Sequence, residues 1–252
     1  MTLKIVHLSD IHTANPHFLP EMALEVIERI NEINPEILII TGDLTESGYP
    51  FEFECAKSYI EKINCASKVI IPGNHDVRHV GDLCFEEIFG SRSKVRRYKG
   101  IKIVGIDSTQ PDIDDGHIGR DKYEWIEKCF DTDDFKIFAL HHHLMPVPFT
   151  GRERNIPADA GDVLELLVRC KVDLVLSGHK HVPWVWNLNG MTILNAGTAC
   201  TNRTKWSIPQ SFNLIELDKE MLRIYKIYSK GGHELVLEKL RTCTTSLCRD
   251  NL

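Results

Sequence analysis

Five short clusters of polar residues each follow an apolar run of the chain, and their residue types are those that bind metals or phosphates. The clusters are Asp10 with His12, Gly42 with Asp43, Gly73 to Asp76 (GNHD), His141 to His143, and Gly178 to His181 (GHKH). Each cluster alone has a simpler explanation, such as a turn or a helix cap. Because the clusters recur after one apolar run after another, they indicate a single shared site.

The candidate metal donors in these clusters are three or four imidazoles, two of the carboxylates and an amide oxygen, with no cysteine among them. This mixture suits Mn, Fe, Zn, Ni or Co better than an all-oxygen Mg or Ca site. The donors are too many for one ion, whereas two divalent or trivalent ions bridged by a carboxylate, about 3.5 to 4 Å apart, would use them all. Such a metal pair is a common device for displacement at phosphorus.

The stretch FALHHHLMP poses a question of register. Neighbouring side chains on an extended strand point to opposite faces, so His142 is expected to face one way while His141 and His143 face the other. One site therefore cannot use all three histidines alike.

The apolar runs before the clusters are short and β-rich, as in KIVHLS, ILIIT and DLVLS. Longer stretches with helical spacing lie between them, such as PEMALEVIERINEI, which Asn34 and Pro35 are expected to end. This alternation predicts βαβ units and a largely parallel sheet. Ligands of such sheets bind outside the carboxyl ends of the strands, so the five clusters are expected to converge there.

From about Pro183 the pattern changes to five strands separated by turns, for example at Asn189 and Gly190. No linker rich in Pro, Ser or Gly divides the two halves. We therefore expect one domain over residues 1–240, in which the second set of strands packs against the first sheet, and a tail over residues 241–252.

The totals restrict the classes of function. A net charge of −6 argues against stable nucleic-acid binding. No run approaches the roughly 18 apolar residues of a membrane span, and the first residues lack the pattern of a secretory signal. The 8 cysteines are scattered without CxxC spacing, which favours reduced, mostly buried thiols and a cytoplasmic location. In the tail, Cys243 and Cys248 are placed to pair, but we expect them not to; a homodimer is left open.

In this order and spacing, DIH, GD, GNHD, HHH and GHKH resemble the five blocks of the calcineurin-like metallophosphoesterases, over roughly Lys4 to Thr198. The segments IDS, GHIGRDKYEWIE and NAGTA look most similar to the cyclic AMP phosphodiesterase group, the class III cyclic nucleotide phosphodiesterases. The resemblance implies an α/β fold, a four-layer α/β/β/α sandwich of two mostly parallel or mixed sheets flanked by helices.

The resemblance also implies roles for individual residues. Carried over from the family, the ligands of one metal are Asp10, His12 and His181, those of the other are Asn74, His142 and His179, and Asp43 bridges the two. His75 would contact the phosphate and protonate the leaving alkoxide, with Asp76 orienting it. Arg78, Lys180 and Arg203 lie beside the motifs and are candidates for stabilising charge on the phosphate oxygens, with Arg78 and Arg203 expected to bind the substrate.

The choice of His142 rests on aligning the family's histidine pair with His142 and His143. That register places His143 near the substrate and leaves His141 a structural role. The family's following proline is replaced here by Leu144, so the register that makes His141 the ligand stays open.

The implied function is hydrolysis of a phosphodiester bond in a small substrate, first of all a 3′,5′-cyclic nucleotide, by a metal-activated hydroxide. A nuclease, a phosphomonoesterase and a nucleotide pyrophosphohydrolase of the same superfamily remain alternatives. A non-catalytic scaffold with this fold is disfavoured because every ligand position holds a competent donor.

Two further loops are rich in charged residues. The segment MPVPFTGRERNIPADAGD, from Met145 to Asp162, is interpreted either as a substrate-shaping loop, with Arg152 and Arg154 meeting a phosphate or a base, or as a plain surface connection. The acidic stretch PDIDDG is predicted to be a solvated loop.

Overall fold

The computed structural model describes residues 2–151 and 154–241, and two six-stranded sheets organise them. The first sheet has the order β12-β11-β10-β1-β2-β3. Its strands are β1 (Leu3–Leu8), β2 (Ile37–Thr41), β3 (Ser67–Ile71), β10 (Ser211–Leu217), β11 (Met221–Tyr228) and β12 (His233–Leu240). Strands β1 to β3 run parallel, and β10 joins them by antiparallel pairing with β1.

The second sheet has the order β4-β5-β6-β7-β9-β8. Its strands are β4 (Lys94–Tyr98), β5 (Ile101–Gly105), β6 (Phe135–Ala139), β7 (Leu174–Ser177), β8 (Trp184–Leu188) and β9 (Met191–Asn195). Strands β5, β6, β7 and β9 run parallel, and the two edge strands are antiparallel to their neighbours.

Helices cover the outer face of each sheet. They are α1 (Pro20–Ile33), α2 (Pro50–Ile60), α3 (Gly81–Phe89), α4 (Tyr123–Cys129) and α5 (Ala160–Arg169). Helices α1 to α3 bury apolar side chains against the first sheet, and α4 and α5 do so against the second. Helix α1 ends as expected, because Asn34 adopts a left-handed conformation (φ 52°) and Pro35 follows it.

A third apolar layer lies between the sheets. Ile39 and Ile71 of the first sheet pack there with Ile103, Ile137 and Leu176 of the second. Full burial of one such side chain contributes about 1.5 to 3 kcal/mol, so this layer fixes the two sheets against each other. The result is the four-layer α/β/β/α sandwich, and the fold predicted from the motifs is confirmed.

The five strands predicted after Pro183 are all present, but they divide between the sheets. Strands β8 and β9 extend the second sheet, whereas β10 to β12 extend the first. The strand β9 pairs with β7, so the turn between β8 and β9 at Asn189 and Gly190 keeps both on the same sheet. The extent of the domain over residues 1–240 stays a prediction, and residues 242–252 with Cys243 and Cys248 lie outside the described part.

Among residues 2–151 and 154–241, none of the helices has the length and apolar character of a membrane-spanning segment. The cysteines described there are free thiols. Of these, Cys200 is buried and the others are partly exposed, so the thiols are less buried than expected.

Candidate metal centre

Five chain segments meet at the carboxyl ends of β1, β2, β3, β6 and β7. The segment after β2 connects to its neighbours through backbone hydrogen bonds, in which Asp10 N donates to Gly42 O and His12 N donates to Asp43 O. Gly178 N likewise donates to His141 O, which joins the segments after β6 and β7. The polar clusters therefore converge as the strand order predicts.

The first group of donors contains Asp10, His12, Asp43 and His181, all buried. The Nε2 atoms of His12 and His181 lie 3.2 Å apart. His181 Nε2 lies 3.2 Å from Asp10 Oδ1, and His12 Nε2 lies 3.6 Å from Asp43 Oδ2. Two imidazole nitrogens and two carboxylates thus point at one small volume.

The second group contains Asp43 again, together with His141, His179 and Asn74. His141 Nε2 lies 3.3 Å from Asp43 Oδ2 and 3.1 Å from Asn74 Oδ1. His179 Nδ1 lies 3.0 Å from the same amide oxygen and 3.2 Å from His141 Nε2. Asp43 is therefore common to both groups, which is the placement of a bridging ligand.

These residues fit a pair of metal ions. In each group two imidazole nitrogens lie 3.2 Å apart, and buried carboxylate oxygens face the same volume. A cation between these donors would neutralise the carboxylates, which are costly when buried and unpaired. The nitrogen and oxygen donor set matches borderline transition metals.

In three of the imidazoles, the ring nitrogen that faces away from the cluster contacts a protein oxygen. His12 Nδ1 lies 3.1 Å from Glu46 Oε2, His141 Nδ1 donates to Thr41 O at 2.7 Å, and His181 Nδ1 donates to Arg203 O at 2.7 Å. Metal-binding histidines are generally oriented in this way, by a carboxylate or a backbone carbonyl at the other nitrogen. All three rings consequently turn Nε2 toward the cluster.

His142 differs from the expectation that it is the ligand of this strand end. Its Nδ1 lies 2.8 Å from Ser108 Oγ and its Nε2 lies 3.1 Å from Asp114 O, so both ring nitrogens have protein partners on the far side. The physical reason is strand alternation: Ile137 and Ala139 face the layer between the sheets, and the same parity carries His141 there. His141, expected to be a bystander, is the histidine that the structure brings to the cluster.

The backbone at the cluster is unusual. Asp10, His12, Asp43, His179 and His181 all have positive φ, between 47° and 72°. Non-glycine residues rarely adopt this region, and such residues concentrate at functional sites, where the surrounding structure holds them. At Gly178 a Cβ would lie 2.6 Å from Asp10 Oδ2, so only glycine permits this approach of the two segments.

The charges at the cluster are mutually dependent. Burial opposes ionisation of Asp43, but the neighbouring imidazoles, first of all His141, lower its pKa well below the ordinary value. Burial likewise disfavours a charged His141, yet the Asp43 carboxylate raises the pKa of this imidazole to about 9. Positive charge around the Asp43 carboxylate, on the imidazoles or on bound metal ions, therefore stabilises its ionised form.

His75, Arg78 and Arg203 lie on one side of the cluster. His75 Nδ1 donates to Glu46 O at 2.6 Å, and the Arg78 guanidinium lies 2.9 Å from the same ring nitrogen. Arg203 binds both oxygens of the Glu46 carboxylate, at 2.8 and 2.6 Å. Glu46, which the sequence reasoning missed, thus connects His12, His75 and Arg203; burial opposes its ionisation, but His12 lowers its pKa to about 2.

Asp76 has a different set of partners from the one expected. Its carboxylate accepts hydrogen bonds from Leu44 N, Thr45 N, Thr45 Oγ1 and Gly73 N, at 2.8 to 3.1 Å. These contacts join the segment that carries Asp43 to the segment that carries Asn74. His75 Nδ1 instead has Glu46 O and Arg78 as its contacts, so the geometry shows Asp76 holding the two segments together.

Asp114 is a second residue that sequence reasoning missed. The stretch PDIDDG is exposed from Pro111 to Asp115, as expected of a solvated loop, yet Asp114 also contacts the cluster. Asp114 Oδ1 accepts from Asn74 Nδ2 at 2.9 Å and from Arg78 Nη2 at 2.8 Å. The bond to Asn74 Nδ2 fixes the amide so that its oxygen faces His141 and His179. The Arg78 guanidinium also lowers the pKa of Asp114.

The loop after β6 lies beside the cluster in part. The ring of His143 is stacked on His179 with centroids 5.7 Å apart, and His143 is buried. Lys180 Nζ donates to Arg154 O at 2.7 Å, which ties this loop to the segment of His179 and His181. Arg152 lies outside the described residues.

The chain is similar to proteins of one enzyme family. The family model described as calcineurin-like phosphoesterase matches residues 3–183. A probable cyclic nucleotide phosphodiesterase of Synechococcus sp. is 26% identical over 233 residues, which cover 87% of this chain and 89% of that protein. A probable glycerophosphodiester phosphodiesterase of Arcobacter nitrofigilis is 26% identical over 214 residues, 77% of each chain.

The fold is also that of a solved enzyme structure. A dimetal phosphatase from Danio rerio superposes with a TM-score of 0.70 over 93% of this chain and 98% of that chain, at 10% sequence identity. At so low an identity the likeness concerns the fold alone. The family resemblance expected from the order of the motifs is confirmed by the family model.

Proposed function

Because this chain belongs to the calcineurin-like phosphoesterase family, we propose that it is a dinuclear metal-dependent phosphodiesterase that acts on a 3′,5′-cyclic nucleotide. The observation that carries the proposal is the Asp43 carboxylate, which is common to two groups of buried imidazoles. That arrangement is suited to two adjacent cations and to displacement at phosphorus.

The proposed ligands follow from the geometry. Asp10, His12 and His181 would hold one ion, Asn74, His141 and His179 the other, and Asp43 both. We propose His141 in place of His142 because its Nε2 faces Asp43 while Thr41 O holds its other nitrogen. Mn, Fe, Zn, Ni or Co would match these donors.

When bound, the two ions would supply Lewis acidity, which depresses the pKa of a water molecule and offsets charge on the phosphate oxygens. The chain's own residues have complementary tasks. Asp76 fixes the segments that carry Asp43 and Asn74, and Asp114 fixes the Asn74 amide. These contacts hold the donors in place before substrate arrives, so little reorganisation is needed during the reaction.

His75 is the proposed proton donor to the leaving alkoxide. Its Nδ1 is engaged by Glu46 O at 2.6 Å, which leaves Nε2 as the ring nitrogen that exchanges a proton with the substrate. Arg78 and Arg203 place positive charge on the same side and are proposed to bind the phosphate oxygens. His143, which lies on the loop after β6, is also proposed to contact the substrate.

The choice of substrate rests on the relatives. The Synechococcus relative, which nearly matches this chain in extent, is described as a probable cyclic nucleotide phosphodiesterase. The Arcobacter relative favours a second candidate substrate, a glycerophosphodiester. The family chemistry is the same for both, since the motifs determine the reaction at phosphorus and not the groups around it. Cytoplasmic location and a homodimer stay predictions.

A substrate panel tests the proposal. Purified protein loaded with Mn²⁺ is expected to hydrolyse cyclic AMP or cyclic GMP with a higher kcat/KM than glycerophosphoethanolamine, p-nitrophenyl phosphate or an oligonucleotide. Asp43→Ala is the matched control, and it should lose bound metal and activity together. A preference for glycerophosphoethanolamine would favour the second candidate, and near wild-type turnover by Asp43→Ala would contradict the bridging role.

A further inference from the structure

Two large aromatic side chains stand exposed on the loops beside the metal centre. Phe149 follows β6 and its histidines, and Trp206 follows Arg203; their exposed fractions are 60% and 78%. Trp206 Nε1 donates a hydrogen bond to Phe149 O, which joins the two loops. Large aromatic side chains ordinarily bury much of their surface, so this pair presents apolar area to solvent.

The backbone holds this pair in an unfavourable conformation. Phe149 has φ 67°, Trp206 has φ 54° and Ser207 has φ 57°, all in the left-handed region. Bulky residues rarely adopt that region, and strain of this kind concentrates at ligand-binding sites. Burial of the rings does not offset the strain here, because both rings are mostly exposed.

The aromatic surface continues at the edge of the second sheet. The Phe149 and Trp184 rings form an edge-to-face pair with centroids 5.9 Å apart, and Trp186 lies 5.8 Å beyond Trp184. Trp184 begins β8 and pairs with Asn195 at the end of β9. Because β9 runs parallel to β7, Trp184 lies at the sheet end where the metal centre is formed. Phe149, Trp184 and Trp206 are called the aromatic platform below.

The platform adjoins the residues proposed to bind phosphate. Arg203 precedes Trp206 by three residues, its carbonyl accepts from His181 Nδ1, and its guanidinium pairs with Glu46. A ligand whose phosphate lies at the metal centre would therefore meet cationic side chains at its phosphate and flat aromatic side chains beside them. A nucleotide matches this surface, since it joins a phosphate to a nucleobase whose π-face stacks on aromatic side chains.

We propose that the aromatic platform is the nucleobase subsite of this enzyme, with Trp206 as the principal stacking residue. The proposal rests on the proposed function and extends it, because it assigns the preference for a cyclic nucleotide over a glycerophosphodiester to Phe149 and Trp206. A glycerol group offers no flat ring to stack.

The test compares ligands with and without a base. Isothermal titration calorimetry of Mn²⁺-loaded protein with AMP and with ribose 5-phosphate separates base binding from phosphate binding. Wild type is expected to bind AMP at least about ten-fold more tightly, within the range that base stacking provides. Trp206→Ala should lose most of this difference with ribose 5-phosphate binding unchanged, and Trp206→Phe should retain most of it.

Trp125→Ala is the matched control, because Trp125 lies on α4 outside the second sheet and is 39% exposed. It should leave both affinities unchanged. Equal affinity of wild type for AMP and ribose 5-phosphate, or equal losses for both ligands in Trp206→Ala, would overturn the subsite.

The kinetic arm separates this proposal from the proposed function. The kcat/KM for cyclic AMP is divided by the kcat/KM for ribose 3′,5′-cyclic phosphate, which has no base. If wild type hydrolyses cyclic AMP and this ratio is the same in Trp206→Ala, the subsite is wrong and the proposed function stands. If wild type hydrolyses no cyclic nucleotide but Trp206→Ala selectively loses AMP binding, the function is wrong and the subsite stands.

Discussion

At the scale of single residues, His141 and His142 differ in what holds their rings. His141 has Thr41 O at Nδ1 and the Asp43 carboxylate near Nε2, whereas His142 has Ser108 Oγ and Asp114 O at its two nitrogens. A metal at His142 would have to displace one of these partners. A metal at His141 would replace only the contacts within the cluster itself.

Paired variants of these histidines test the assignment. His141→Ala should reduce the number of Mn²⁺ ions bound tightly from two to one, because its Nε2 is a proposed ligand atom. His142→Ala should keep both ions, provided that its thermal unfolding confirms a folded protein. Equilibrium dialysis with metal analysis measures both. Loss of an ion from His142→Ala alone would restore the register first expected from the sequence.

The sequence predicts which residues gather at the site better than it predicts which residues contact them. The spacing of DIH, GD, GNHD and GHKH was sufficient to select residues that the structure brings together. The roles of Glu46 and Asp114 could not be read in the same way, because an acidic loop residue looks solvated until its contacts to His12, Asn74 or Arg78 are known. Strand parity was an available signal for His141, since Ile137 and Ala139 belong to the same face.

At the scale of elements, the site depends on how the loop after β5 is fixed to α5. Asp159, just before α5, accepts from Ile118 N at 3.1 Å, Gly119 N at 2.8 Å and Tyr123 Oη at 2.9 Å. Burial opposes its ionisation, but the Gly119 and Ile118 amides lower its pKa. These bonds anchor the loop that also carries Asp114.

Asp159→Ala should therefore destabilise the protein by about 2 kcal/mol at pH 7, the scale of charge-assisted hydrogen bonds lost at a partly buried site. The pKa of Asp159 is lower in the folded protein than in the unfolded chain. Its contribution to the free energy of unfolding is therefore fully present above the unfolded pKa and is lost as the pH falls through the folded pKa. The difference between variant and wild type should shrink below about pH 4.

Urea unfolding at several pH values measures this difference. Asp162→Ala on the same helix is the control, because Asp162 forms an exposed pair with Arg120 and such pairs contribute little. A constant difference from pH 7 to pH 3.5 would contradict the ionised role of Asp159.

Hydrophobic periodicity predicts most strands and helices of the first half, since each apolar run carries its own local signal. It did not reveal α3 (Gly81–Phe89) or β4 (Lys94–Tyr98). The partition of the last five strands was not predictable from this pattern. Whether β9 pairs with β7 or with the first sheet depends on contacts between residues that are distant in sequence. The residues of β9 do not alternate between buried and exposed, since all five are buried, so the sequence pattern of this strand does not indicate its sheet.

At the scale of the whole molecule, the metal centre belongs to both sheets. Asp10, His12, Asp43 and Asn74 follow strands of the first sheet, and His141, His179 and His181 follow strands of the second. The apolar layer between the sheets therefore sets the distances between the two sets of donors. A non-catalytic scaffold needs only this packing, whereas a phosphodiesterase also needs two ions held between the sheets.

Anomalous diffraction from crystals grown with Mn²⁺ tests that requirement most directly. Two peaks per chain are expected about 3.5 to 4 Å apart, with the Asp43 carboxylate between them and His141 Nε2 as the ligand from β6. A single peak, no peak at Asp43, or a second ion bound by His142 would contradict it.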